Sequence, residues 1–312
     1  MKTNDAWVRW GLFLLLAFIW GSSFLLMLIG LEQLSPWQVA AFRLLAAGLV
    51  MLPFARAVIR KVPRGKAGYI VLSGLLGSFF PAFLFCLAET RLDSSFAGSL
   101  NSLTPVFVVL VGLLFFRLQV TGLQVGGILV SFVGSICLFL AKGGQTGDLL
   151  YVGFIVLATI FYGLNVNMVS RQLHDVPPFE IAVLAFSFLS LPSAIILFAF
   201  GTQHLPFQDP AVLRSVGASL LLGVLGTTVA SILFYMLLKR AGGIFASTVT
   251  YGIPFVAMFW GWVFSERITP PVIASLLVIL FGIYITNAKQ KPIRRLMGWI
   301  GKRSSAGPVK PT

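Results

Sequence analysis

The residues able to do chemistry in this sequence are hydroxyls, amides and aromatic rings set at helical spacing inside apolar runs. They point to holding a solute rather than to breaking bonds. Asn101 and Thr104 stand three residues apart, as do Tyr162 and Asn165, while Thr227, Ser231 and Tyr235 recur every four. Thr248 and Tyr251 share the i, i+3 spacing, which puts each such set on one helix face. Trp20 with Ser23, and Phe80 with Phe83 around Pro81, complete the set of candidate binding residues. Polar side chains inside membrane helices are costly and tend to face the bundle interior or a cavity. For any one hydroxyl the plainer reading is a bond back to its own helix or to a neighbour. A cavity of hydroxyls, amides and rings suits a neutral or zwitterionic solute.

What is missing narrows the reading further. His174 and His204 lie outside the apolar runs and lack metal-ligand spacing, and no catalytic triad, phosphate loop or cofactor motif is present. No enzyme, metal or cofactor is expected. None of the nine acidic residues lies deep in an apolar run, so no buried carboxylate is expected to carry a proton. Arg43 is the one basic residue inside a run, about 10 Å along its helix from the nearer end. It reads first as a structural residue that snorkels outward or pairs with Glu32, Glu89 or Asp93, and only second as a binding residue. With so little positive charge to offset a phosphate, phosphorylated cargo falls in rank.

These residues need a scaffold, and composition names it. Of the 312 residues 58% are hydrophobic and 10% charged, with a mean hydropathy of +0.95. Soluble domains carry about a quarter charged residues, so this is an all-α integral membrane protein whose runs have the length of membrane helices and lack β-barrel alternation. Ten spans are expected: 9–30, 36–55, 67–88, 95–116, 121–141, 149–170, 179–200, 213–238, 244–265 and 271–288. The first run has no small-residue cleavage site and reads as a retained helix. Cys86 and Cys137 both lie inside runs and imply no disulfide. The net charge of +14 flanks the spans, which calls for anionic lipid on the cytoplasmic side and not for nucleic acid.

The orientation and the repeat follow together. Eighteen Lys and Arg fall on the side of the termini and four on the opposite side, which puts both termini in the cytoplasm. Residues 96–116, FAGSLNSLTPVFVVLVGLLFF, recur without a gap at 245–265 as FASTVTYGIPFVAMFWGWVFS, an offset of 149. Five spans per copy is an odd number, so 9–141 and 149–288 form two inverted-topology repeats, preceded by a cytoplasmic stretch 1–8 and followed by a basic cytoplasmic tail 289–312. Pro105 and Pro254, with Gly112 and Gly261, occupy matching places in the fourth and ninth spans and read as gating or hinge positions. The small residues Gly122, Gly126, Gly127, Ser131, Gly134 and Ser135 of the fifth span read as a packing face.

The segments Ile19-Trp20-Gly21-Ser22-Ser23-Phe24 and Phe42-Arg43-Leu44-Leu45-Ala46-Ala47-Gly48, the paired fourth and ninth spans, and Glu266 closing the ninth give this chain a resemblance to a known group. It resembles the drug/metabolite transporter superfamily, in particular the ten-helix EamA branch of bacterial metabolite and amino-acid exporters. Arg117 stands where the first copy would match Glu266, a departure from the pattern. The resemblance implies a central cavity lined mainly by spans 1, 3, 4, 6, 8 and 9, export as the direction, and a bacterial inner membrane. The small four-helix multidrug relatives carry a glutamate in their first helix. Here Trp20, Ser22 and Ser23 stand there, which argues against proton-coupled export of cationic drugs by that route.

The expectation is a secondary transporter moving a small neutral or zwitterionic metabolite, such as an amino acid, by alternating access. A lipophilic drug or a nucleotide-type solute is the alternative cargo, and a membrane enzyme or lipid scramblase the remote alternative. Neither the cargo, the coupling nor the oligomeric state is written in the residues.

Overall fold

A computed structural model describes residues 2–92, 94–141, 149–263 and 269–287, and among these there is helix and no strand. The elements are α1 (Lys2–Leu31), α2 (Pro36–Ile59), α3 (Arg64–Ala88), α4 (Ser94–Asn101), α5 (Thr104–Phe116) and α6 (Gly122–Ala141) in the first half of the chain. The second half holds α7 (Leu149–Gln172), α8 (Pro178–Ala199), α9 (Pro210–Ala241), α10 (Gly243–Ser247), α11 (Ile253–Val263) and α12 (Pro270–Thr286). Seven helices are long and apolar enough to cross a membrane, and three more apolar helices are shorter. Element n of the first half answers to element n+6 of the second throughout. The basic tail beyond 287, Glu266 and Asp93 lie outside the described residues.

Helix ends follow local chemistry. Ser35 and Gln38 form a reciprocal capping box ahead of α2, with Pro36 in its first turn. The Asp209 carboxylate accepts the Ala211 N–H at 2.8 Å to start α9.

The fourth and ninth spans are not single helices. The chain leaves α4 at Asn101 and restarts at Thr104, with Pro105 in the first turn of α5. Between α10 and α11 lies a 3-10 segment, Thr248–Gly252, and Pro254 sits in the first turn of α11. A proline has no N–H and crowds the carbonyl four residues back, so it is best accommodated where a helix begins. Each proline therefore marks a break, where the sequence alone suggests a kink.

A second irregularity is also duplicated. α3 contains a π turn at Leu75–Phe79 and α9 one at Leu222–Val229. The Phe80 N–H donates to the Leu75 carbonyl and the Ala230 N–H to the Leu225 carbonyl, each five residues back. In α3 the cause is Pro81, which has no N–H for the Gly77 carbonyl. In α9 side chains enter the ladder: Trp20 Nε1 donates to the Gly226 carbonyl at 3.2 Å, and the Thr227 hydroxyl donates to the Leu222 carbonyl at 3.3 Å.

Packing repeats between the halves. α2 lies along α8 and α6 along α12, while α1 meets α9 and α11 as α7 meets α3 and α5. Glycine allows the closest approaches: Gly48 faces Phe186 and Ser190 of α8, Gly21 faces Val256 of α11, and Gly163 faces Phe107 of α5. In the expected small-residue face of α6, Gly127, Ser131 and Gly134 do meet α12, with the Ser131 hydroxyl donating to the Ile279 carbonyl at 3.1 Å, but Gly126 faces open space.

Polar ties close the two ends of the bundle. At one end Lys66 pairs with Asp175 at 3.0 Å and donates to the Gln172 carbonyl, while Lys239 donates to the Val176 carbonyl. The Lys66 ammonium donating to Asp175 holds that carboxyl below its usual range. At the other end Gln38 Nε2 donates to the Phe200 carbonyl at 3.0 Å, Trp37 stacks on Phe200 at 5.1 Å, and Arg214 lies 4.0 Å from Glu32.

Candidate functional site

The irregular turns converge on one cavity. About 110 Å³ of it is open to the centre of a water molecule, several times what one water requires. From α1 come Trp20, Ser23, Phe24 and Met27; from α7, Tyr162, Asn165 and Val166. The π turns give Gly77 and Ser78 on one side and Gly226 and Thr227 on the other. Beyond them on the same helices stand Phe85 of α3 and Ser231, Phe234 and Tyr235 of α9. Asn101 and Thr104 flank the first break, and Ser247, Thr250 and Ile253 the second. Arg43 of α2 completes the wall.

Two glycines set how near the halves come. A Cβ added at Gly226 would stand 2.6 Å from Ser23 Oγ, and one added at Gly77 would strike the Asn165 amide. Ser23 leans on the π turn of α9 as Asn165 leans on that of α3. The rings pair the same way, with Trp20 5.3 Å from Phe234 and Tyr162 stacked 6.2 Å from Phe85. Matched positions therefore pair ring to ring on the cavity wall, and an apolar body placed there has aromatic rings to lie against.

The polar groups are not matched. Arg43 Nε donates to Thr227 Oγ1 at 2.6 Å, a contact that the π turn permits because it directs the hydroxyl back to Leu222, five residues away. Tyr235 and Ser73 share a hydrogen bond of 2.9 Å between hydroxyls. Thr104 donates to Asn101 Oδ1 at 3.2 Å. The Asn165 side chain is 4% exposed, and its Oδ1 accepts no hydrogen bond.

Of the residues singled out from the sequence, Trp20, Ser23, Asn101, Thr104, Tyr162, Asn165, Thr227, Ser231 and Tyr235 are brought together on this cavity. The others lie elsewhere. Phe80 is 41% exposed and meets Phe161, while Phe83 is buried against Trp37 and Phe79. The Thr248 hydroxyl donates to the Phe245 carbonyl at 2.7 Å, and Tyr251 donates to the Ile128 carbonyl of α6 at 2.9 Å. The 3-10 segment explains this: at three residues per turn Thr248 and Tyr251 do share a face, but Ser247, Thr250 and Ile253 form the face toward the cavity. Pro105 and Pro254 stand beside the cavity breaks. Gly112 packs against Leu118 and Asn167 instead, and the surroundings of Gly261 are outside the described residues.

Arg43 lines the cavity and does not pair with Glu32, whose ion pair is with Arg214; no ion pair among the described residues includes it, and Asp93, another partner the sequence offers, lies outside them. Glu89, placed at a helix end by its sequence position, closes α3 and is only 7% exposed. The aromatic residues Phe24, Phe85 and Phe234 were also missed. The offset of 149 relating the fourth and ninth spans also relates Gly77-Ser78 to Gly226-Thr227 and Phe85 to Phe234, but it gives no counterpart for Phe24.

The comparisons with known proteins agree with a carrier. The model of the EamA-like transporter family matches residues 9–140 and again 149–288. An uncharacterized transporter of Archaeoglobus fulgidus is 24% identical over 90% of this chain and 99% of its own. A protein of Chlamydia muridarum named an S-adenosylmethionine/S-adenosylhomocysteine transporter is 28% identical over 82% of this chain and 83% of its own. A crystal structure 16% identical in sequence superposes with a TM-score of 0.67 over 91% of this chain and 96% of that one, a likeness of fold.

Proposed function

Because this chain belongs to the EamA-like transporter family, we propose that it is a secondary transporter moving a small neutral or zwitterionic metabolite, amino acids among them, by alternating access. The observation that carries this reading is a cavity whose wall is supplied from matched positions of the two halves, through their π turns and helix breaks. Two halves of like build and opposite orientation can exchange conformations and present one site to either side. The arrangement proposed is ten spans in two inverted five-helix repeats, 9–141 and 149–288, with both termini in the cytoplasm of a bacterium and export as the direction. The excess of Lys and Arg on the side of the termini supports that orientation.

The wall fits the cargo class. Hydroxyls, amides and the Arg43–Thr227 pair offer fixed dipoles to the polar end of a solute, and Trp20, Phe234, Tyr162 and Phe85 offer ring faces to the rest. In this scheme Thr104, Ser231 and Asn101 contact the cargo, and the breaks at Pro105 and Pro254 gate it from opposite ends. A second reading, an amino acid carrying a nucleoside, is favoured by the relatives named for S-adenosylmethionine and S-adenosylhomocysteine and by the aromatic rings on the cavity wall.

Counterflow in liposomes holding the purified protein tests both readings, using labelled neutral amino acids and labelled S-adenosylhomocysteine, with and without an imposed pH gradient. Saturable uptake indifferent to the gradient supports the carrier; uptake of S-adenosylhomocysteine alone selects the second reading. No saturable uptake of any of them removes this cargo class.

A further inference from the structure

The cavity wall holds a donor whose charge no ion pair among the described residues offsets. Arg43 carries a permanent positive charge on a planar fork of five N–H donors. Its Nε is engaged by a neutral hydroxyl, Thr227 Oγ1 at 2.6 Å, which orients the fork but does not neutralise it, and no ion pair among the described residues includes it. A charge held inside a bundle of apolar helices without a counter-charge is expensive, and such residues mark substrate pathways.

The asymmetry of the two halves says the same thing differently. Gly223 of α9 lies against the Arg43 backbone and Ala46 of α2, and its counterpart Gly74 of α3 lies against Ala185 and Leu189 of α8. Arg43 therefore answers to Ala185. A backbone plan that is otherwise duplicated places a guanidinium on the cavity wall at one of two matched positions, and at the other a methyl group packed against Gly74.

Resting on the transporter reading above, we propose that Arg43 binds a carboxylate of the transported solute, held in place by Thr227. The cargo class is thereby narrowed from neutral or zwitterionic compounds to those bearing a free carboxylate. The carboxylate lies toward α2 and α9, and the remainder of the solute lies against the paired rings. A carboxylate satisfies the Arg fork with two parallel charge-assisted bonds, which an amide cannot supply.

The test compares each labelled amino acid, and S-adenosylhomocysteine, with its carboxamide and its decarboxylated amine. Each competes in counterflow, and each is also tried for thermal stabilisation of the purified full-length protein. The wild type is expected to prefer the free acid to the amide by roughly tenfold or more in apparent affinity. Arg43→Gln should bring acid and amide to equal, weak affinity, and Arg43→Lys should restore part of the preference. Amides or amines accepted as well as acids by the wild type overturn the site, as does equal loss for acid and amide in Arg43→Gln. Flux absent for every compound sinks the transport reading separately; stabilisation by acids over amides then still upholds the site, and stabilisation by none of them overturns it.

Discussion

Tyr235 and Ser73 are joined hydroxyl to hydroxyl at 2.9 Å, tying α9 to α3 at the cavity wall and so one half of the chain to the other. Tyr235 is 3% exposed, and the Asn165 side chain lies beside it. Tyr235→Phe removes one interhelical hydrogen bond, which within a membrane is about 0.6 kcal/mol on average. It should reduce the transport rate several-fold with little change in melting temperature. Tyr235→Ala and Asn165→Ala should each lower counterflow without lowering membrane expression; full transport by both variants would sink the assignment of this wall.

Thr227 positions Arg43 through a hydrogen bond to a charged group, an interaction of about 1.5–3 kcal/mol. Thr227→Val, nearly isosteric, should weaken apparent affinity for the transported solute by about tenfold or more. Thr227→Ser should preserve it. Equal affinity in the Val and Ser variants would show that the hydroxyl has no part in holding the guanidinium.

Gly127 tests packing apart from the cavity. A Cβ there would stand 2.5 Å from the Thr286 nitrogen and 2.6 Å from the Gly282 carbonyl oxygen, backbone atoms that cannot turn away. Gly127→Leu should destabilise the protein by about 1–3 kcal/mol, the usual cost of overpacking, and the same substitution at Gly126, which faces open space, should be almost neutral. Melting temperatures of the two purified variants decide it, and a Gly126 variant as damaged as the Gly127 one contradicts the α6–α12 contact.

The Lys66–Asp175 tie predicts a dependence on pH. Its carboxyl is depressed by the lysine, so its contribution to stability is present above the ordinary carboxylate range, near pH 3.9, and is lost as pH falls through the lower folded value. Asp175→Asn should be less stable than the wild type at neutral pH by a small margin that shrinks below about pH 4 and also shrinks in high salt. A margin unaffected by acid would mean that the pair adds nothing to the fold.

The membrane class and the alternation of long apolar runs with short connections were legible because composition and run length express them directly. The duplication was legible at 96–116 and 245–265 because its side chains are similar. It was hidden at Trp20-Gly21 and Tyr162-Gly163, where only the small glycine is shared. The π turns left no local signal: Leu75-Leu76-Gly77-Ser78-Phe79 reads as ordinary helix, and the extra residue is admitted by Pro81 on one side and by a side chain 206 positions away on the other. For the same reason a count along the helix located Arg43 in depth but not in direction, since the face it turns is set by α9. Tyr251 shares its face with Thr248 as the i, i+3 spacing expects, but spacing does not say which face turns to the cavity, and this one turns to α6.

A π turn holds one residue more than the α turn it replaces, so side chains on its two sides are out of phase with one continuous helix by about 100°. Expelling that residue from the turn is a swivel. One part of the helix rotates against the other while the main chain stays unbroken and most of its hydrogen bonds stay made. Gly77, Ser78, Gly226 and Thr227 sit on the pivots, one in each half, and any such rotation would move the cavity wall first and the ends of the bundle last.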